Sequence, residues 1–175
     1  MAAKRDFLVE IGTEELPPKS LLSLAKAFAD GVEKGLDDAG LQHGAVERFA
    51  TPRRLAVRVR RLIERQPDRA VERRGPPVKA AFDAQGAPTQ AALAFARGCG
   101  TEVAALERLE TPKGVWLVHR GTETGAQTLG LLPGIVQASL DALPIARRMR
   151  WGAGEAEFVR PVHWVLMLFG REEVP

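Results

Sequence analysis

Apolar residues recur at two spacings along this chain, and the spacing changes where turn-forming residues intervene. Over residues 6–12, Phe7, Val9 and Ile11 alternate with Leu8 and Glu10, which predicts a strand closed by Gly12 and Thr13. Pro17 and Pro18 are then expected to open a helix, because proline suits a first turn. Leu21, Leu24, Ala25, Phe28, Val32 and Leu36 recur on one face of that helix, and Lys26, Asp30, Lys34 and Asp37 on the other. Gly40 is placed to stop it. Residues 46–50 predict a second strand, after which Thr51-Pro52 bends the chain. Leu55, Val57 and Val59 then alternate with Arg54, Ala56, Arg58 and Arg60, the pattern of a half-buried strand with an arginine-bearing outer face.

Residues 66–78 are polar, charged and proline-bearing and predict a loop. Thr89 is a candidate N-cap for a short helix carrying Ala91, Ala92, Leu93, Phe95 and Ala96, ended by Gly98 and Gly100. Residues 106–119 predict a hairpin, with Pro112 second and Gly114 fourth in a type I turn. Residues 126–143 predict a helix through Leu129, Leu132, Val136, Leu140 and Leu143, and Pro133 implies a late start or a kink. A basic connection at 147–151 and a last strand at 159–169 complete the series. Strands and helices mix without regular alternation, so the expected class is α+β, with a mixed or antiparallel sheet and a few packing helices. The expected division is an N-terminal α+β domain at 1–146, followed at 147–175 by the basic connection and the first strand of a following region, or by the end of the same domain. The last apolar run meets residues 171–175 with no cap or closing helix, so the fold is expected to be truncated at its C-terminal end, with the natural polypeptide continuing.

Composition narrows the class. Hydrophobic residues at 45% and charged residues at 27% describe an ordinary globular chain of 175 residues, large enough to bury a core. The single cysteine, Cys99, excludes an intramolecular disulfide and a cysteine-based metal site. Between two glycines and without an activating partner nearby in sequence, it is expected to be a packed small residue. No secretory signal pattern opens the chain, and no apolar run approaches the roughly 20 residues of a membrane span. A cytoplasmic location and no membrane partner are expected. The net charge of +3 is modest, but it is unevenly placed. Acids dominate residues 1–47, whereas nine arginines between Arg53 and Arg74 face only Glu64, Asp68 and Glu72.

The standard catalytic signatures are missing. There is no glycine-rich phosphate loop, no HExxH and no CxxC, and His43, His119 and His163 stand far apart. No catalytic residue and no metal site are expected. Glu14-Glu15 suits a carboxylate pair for acid–base work, but is expected instead to support the start of a helix. Arg53, Arg54, Arg58 and Arg60 are candidate nucleic-acid-binding residues, because forks repeated at period two can track a phosphate backbone. A solvated face with salt bridges to neighbouring acids is the competing role. Arg147, Arg148 and Arg150 with Trp151 form a second candidate, in which the arginines hold phosphates while the indole stacks on a base. Trp151 serves equally well as a buried anchor at a domain or subunit junction. Arg160-Pro-Val-His-Trp164 carries the same ambiguity, with burial favoured for Trp164 because an apolar run follows it. Trp151 and Trp164 are therefore the interface candidates.

Several segments together resemble bacterial glycyl-tRNA synthetase beta subunits. They are Leu8-Val-Glu-Ile-Gly-Thr-Glu-Glu-Leu-Pro-Pro18, Phe49-Ala-Thr-Pro-Arg-Arg-Leu-Ala-Val57, Arg74-Gly-Pro with Lys79-Ala-Ala-Phe-Asp83, Leu109-Glu-Thr with Lys113-Gly, Arg148-Met-Arg-Trp-Gly152, and Phe158-Val-Arg-Pro-Val-His-Trp164. They stand in family order across nearly the whole chain. The resemblance implies an alpha-two beta-two enzyme that joins glycine to its tRNA using ATP. Adenylate formation, with ATP and magnesium, would belong to the class II site of the alpha subunit, and no cofactor would bind these residues. The beta subunit would serve transfer and handle tRNA, and its later HD-like and anticodon-binding regions lie outside this chain. Implied partners are the alpha subunit, glycine tRNA and the remainder of beta. Two other roles stay open: a scaffold that docks subunits without touching tRNA, and a free-standing RNA-binding module.

Overall fold

The computed structural model describes residues 3–151 and 153–175, so Gly152, at the end of one family-like segment, lies outside the described residues. In chain order the elements are β1 (Lys4–Thr13), α1 (Leu21–Asp38), β2 (Val46–Thr51), β3 (Arg54–Ile63), β4 (Arg69–Pro77), α2 (Val78–Ala81), α3 (Gln90–Gly98), β5 (Glu107–Thr111), β6 (Gly114–Glu123), α4 (Thr128–Asp141), β7 (Met149–Arg150), β8 (Glu157–Phe158), β9 (Val162–Phe169) and β10 (Glu172–Glu173). All strand pairs are antiparallel, and the fold is α+β as expected.

Two compact units divide the chain. The first holds the residues up to Pro67 and those from Gly125 onward, and the second holds Asp68–Thr124. Residues 147–175 lie in the same unit as β1, and the breaks fall at 67/68 and 124/125.

The first unit is a five-stranded sheet in the order β10-β9-β1-β3-β2. Its alternation makes the core. Phe7, Val9 and Ile11 of β1 and Leu55, Val57 and Val59 of β3 are all buried on one face. Against that face lies α1, which buries Leu24, Phe28, Val32 and Leu36, spaced as one helical stripe. Burying four such side chains contributes on the order of 1.5–3 kcal/mol each before entropy is counted. Helix α4 adds Leu132 and Val136 to the same core. The two helices approach closely because a Cβ at Gly35 would lie 2.6 Å from Ile135 Cγ2, and one at Gly31 only 3.1 Å from Ser139 Cβ.

Between Arg5 and Phe7 the β1–β3 register shifts, so that Arg60 and Arg61 both oppose Asp6. Arg61 takes φ 48° there. The Asp6 carboxylate holds the bulge, accepting the Arg61 N–H at 3.0 Å and pairing with Arg60 Nε at 3.5 Å.

The second unit is a three-stranded sheet, β4-β6-β5, with a small core of Ala81, Ala92 and Leu117 joined by Phe82, Phe95 and Leu106. Here a loop expected at 66–78 is instead largely strand β4. Its side chains are mostly exposed, so no apolar alternation marks it, and pairing with β6 supplies its order. Its two prolines close an edge strand, where a missing N–H is tolerated.

Other differences are local. The first helix starts at Leu21, because residues 17–20 form a turn in which Ser20 N–H donates to the Pro17 carbonyl. Thr89 stands at the N-cap of α3, but its hydroxyl donates to the Ala80 carbonyl rather than capping the helix. Pro133 lies inside α4, which leaves the Leu129 carbonyl without its usual intrahelical donor. The basic connection contains a short strand, since Met149 and Arg150 pair with Phe158 and Glu157.

Candidate nucleic-acid interface

Three loops of the first unit meet at one end of the five-stranded sheet, and backbone bonds stitch them together. Thr13 N–H donates to the Arg53 carbonyl at 2.9 Å, Glu14 N–H to the Pro161 carbonyl at 2.9 Å, and Leu16 N–H to the Pro52 carbonyl at 2.7 Å. The antiparallel order makes this convergence unavoidable: the end of β1 must lie beside the starts of β3 and β9.

The side chains gathered there are charged. His163 Nε2 lies 2.9 Å from Glu14 Oε1, and Arg53 reaches Glu14 at 3.7 Å and Glu15 at 3.9 Å. Arg160 Nε donates to the Glu15 carbonyl at 3.1 Å, and its Nη1 lies 3.6 Å from Met149 Sδ. Glu14 and Glu15 therefore face Arg53 and His163, and no acid occupies the first turn of α1. The expected helix-supporting role of the pair is not what the structure shows, since five residues separate Glu15 from the helix start at Leu21.

Arg160 separates two clefts. One, of about 660 Å³, is lined by Glu14, Glu15, Pro52, Arg53 and Arg160 among others. The other, of about 670 Å³, is lined by Arg147, Arg148, Arg150 and Arg160 over an apolar floor that includes Leu24 and Val159, with no carboxylate among its lining residues. Four cations and no lining carboxylate give this cleft a chemistry that suits an anion with several negative groups.

The four arginines are not equivalent. Arg148 donates to the carbonyls of Asp141 at 2.6 Å, Leu140 at 3.3 Å and Glu157 at 3.4 Å. It thus adds a charged donor to the last carbonyls of α4, of which Leu140 also accepts the Leu143 N–H at 3.3 Å. Arg147 and Arg150 have no ion pair or side-chain hydrogen bond among the described residues. Trp151 packs its ring partly against the main core.

The other arginine group is distributed differently. Arg54 pairs with Glu10 at 3.1 Å, Arg58 with Glu47 at 2.6 Å and Arg60 with Asp6 at 3.5 Å, on the sheet face away from α1 or at its bulge. The hydrogen bond from Arg58 holds the Glu47 carboxyl below its ordinary range and raises the Arg58 guanidinium. Each of these three β3 arginines therefore meets an acid on a neighbouring strand. Of that group Arg53 alone borders the clefts. Trp164, expected to be buried, is 41% exposed on the outer face beside Arg54, whose guanidinium lies 5.7 Å from its ring centroid.

Sequence reasoning did not single out Arg160 as a cleft residue, nor His163 and Glu14 as partners. The only signal was their presence in segments shared with one family. Among the described residues no cluster of three or more His, Cys, Asp or Glu side chains is arranged to hold a metal. No described helix is long and apolar enough to cross a membrane.

Residues 7–175 match the family model described as glycyl-tRNA synthetase beta subunit. The chain is 60% identical over 170 residues to the glycine–tRNA ligase beta subunit of Hahella chejuensis, covering 97% of this chain and 25% of that protein. It is 56% identical over 172 residues to the corresponding subunit of Marinobacter nauticus, covering 98% and 25%. The chain thus spans about a quarter of the length of these relatives. With the family model matching almost end to end, this chain belongs to the glycyl-tRNA synthetase beta-subunit family.

Proposed function

We propose that the chain is a non-adenylating part of a cytoplasmic glycine–tRNA ligase and supports attachment of glycine by holding the sugar–phosphate backbone of tRNA in the arginine-lined cleft. One observation carries this: Arg147, Arg148, Arg150 and Arg160 line a single cleft with no carboxylate among them. Guanidinium forks suit phosphate oxygens, and Arg147 and Arg150, being unpaired among the described residues, need break no protein contact to reach them. ATP, magnesium and the adenylation site are assigned to the alpha subunit of an alpha-two beta-two enzyme, and the alpha subunit and the remainder of beta are the protein partners.

Subunit docking is the second reading, favoured by the exposed Trp164, Val165 and Phe49 of the five-stranded sheet. A free-standing RNA-binding module has less support, because the relatives are far longer than this chain.

A titration of the assembled enzyme with glycine tRNA at several salt concentrations tests the proposal. The Arg147→Glu/Arg150→Glu variant should bind about tenfold or more weakly, with the log–log salt slope reduced by roughly two for two lost phosphate contacts. Unchanged affinity and slope in an intact assembly would turn the cleft into a protein-docking surface.

A further inference from the structure

One edge of the five-stranded sheet is only partly covered. β10 pairs with β9 at Phe169 and Leu168, and one further bond runs from Val174 N–H to the Met167 carbonyl at 3.0 Å. Along a strand, alternate residues direct their backbone groups to the same side. The N–H and C=O groups of Val165 therefore face the same edge as those of Met167, past the last β10 contact and before the register shift that follows Trp164. The side chains there are unusual for an open edge: Trp164 is 41% and Val165 49% exposed. Natural edges are normally blunted by charge or covered, since an open apolar edge is a template for another strand.

Direction and register identify the occupant. Residues 172–174 run antiparallel to β9 and are headed toward Val165. Val174 takes the position whose N–H points at β9, so Pro175, opposite Leu166, turns its ring nitrogen away from the ladder. A missing donor costs nothing there. The matched relatives, of which this chain covers only 25%, supply further residues of the same polypeptide. We infer that in full-length family members the segment following Pro175 extends β10 as an antiparallel strand along β9. Its first residue lies opposite Val165 and its second opposite Trp164, and it flanks the exposed side chain of Val165. The subdomain described here is thereby joined to the later part of the beta subunit by a continuous ladder, independently of any role in tRNA binding.

Hydrogen–deuterium exchange on the full-length beta subunit tests this. The amide of Val165 should exchange within about tenfold of the Met167 amide. In the 175-residue chain alone, it should accelerate to an unprotected rate while Val9 and Val57 stay protected. Fast exchange of Val165 in the full-length subunit would overturn the proposal. So would protection that arises only when the alpha subunit is added, which would assign the edge to that partner. A second measurement covers the case in which the short chain does not fold. In a Cys99→Ser full-length background, Trp164→Cys and a cysteine at the second residue after Pro175 form a non-hydrogen-bonded pair with Cα atoms ~4.5 Å apart, within disulfide range. Oxidation should link them, and failure to link in a folded subunit rejects the register.

Discussion

The indole of Trp164 rests on the α-carbon of Gly12. A Cβ at Gly12 would lie 2.3 Å from Trp164 Cε2 and 2.5 Å from Nε1, so only glycine fits beneath the ring. The same glycine is paired with Trp164 on one side and with Arg54 on the other. The missing side chain lets the ring from β9 lie across β1 toward the guanidinium on β3, which stands 5.7 Å from the ring centroid. Gly12→Ala should therefore destabilise the domain by about 1–3 kcal/mol through overpacking. The Gly12→Ala/Trp164→Ala double variant should recover part of that loss. Denaturant midpoints of the four proteins in the cycle measure the coupling, and additivity would refute the contact.

Arg148 and its neighbours should behave differently on substitution. Arg148→Ala leaves the last carbonyls of α4 without their charged donor and should cost about 1–3 kcal/mol. Arg147→Ala and Arg150→Ala should stay within about 0.5 kcal/mol of the parent. Thermal or urea unfolding of the three variants separates the bracing arginine from the two that are available to a ligand.

The Arg58–Glu47 pair gives a pH dependence. The folded carboxyl titrates below its ordinary value of about 4.5, chiefly because Arg58 donates to it. A depressed folded pKa contributes stability above the ordinary value and loses it as pH falls through the folded one. Both side chains are well exposed, so the effect is small. The stability difference between the parent and Glu47→Gln should shrink as pH is lowered from about 6 to about 3. Urea titrations across that range measure it, and a difference that grows on acidification would reverse the assignment.

Gly125 is tightly enclosed. A Cβ there would lie 1.9 Å from the Gln66 carbonyl oxygen. Gln66 is itself fixed: its N–H donates to the Ala126 carbonyl at 2.9 Å, its Nε2 to the Ala39 carbonyl at 2.6 Å, and its Oε1 accepts the Ala126 N–H at 3.0 Å. Gly125→Ala should cost about 3 kcal/mol or more, because backbone rather than a flexible side chain must move. Gln66→Ala should cost about 1 kcal/mol by removing the side-chain bonds to the Ala39 and Ala126 backbone. Calorimetric unfolding of each variant provides the check.

How far the sequence was legible follows from what each element depends on. Alternation disclosed β1 and β3, because one face of each is buried and the other is not, and helical spacing disclosed α1 for the same reason. β4 was illegible: its arginines and Glu72 show no buried face, and it exists through its ladder to β6. The candidate site was legible only in part. Arg147, Arg148 and Arg150 stand together in sequence, but Arg160 joins them only because β9 returns beside β1. The arginine row on β3 was visible as a pattern, whereas the acids that meet it belong to strands whose neighbours a linear chain does not disclose. Trp164 was misjudged because an apolar run suggests burial, and whether an edge strand is covered depends on what pairs with it.

The pairing of the first strand with β9 has a consequence for synthesis on the ribosome. Arg5 and the Glu172 carboxylate that it bonds at 2.8 Å lie 167 positions apart. The central strand of the sheet must therefore wait with one side open until nearly all of this stretch has been translated. Late long-range pairing of this kind is slow and leaves apolar surface open to misassociation. The small sheet at 68–124, closed by its own nearest-neighbour ladders, is free to form while β1 is still waiting. The nascent chain is thus expected to mature from the middle outward, with β1 paired on both sides only when β9 arrives.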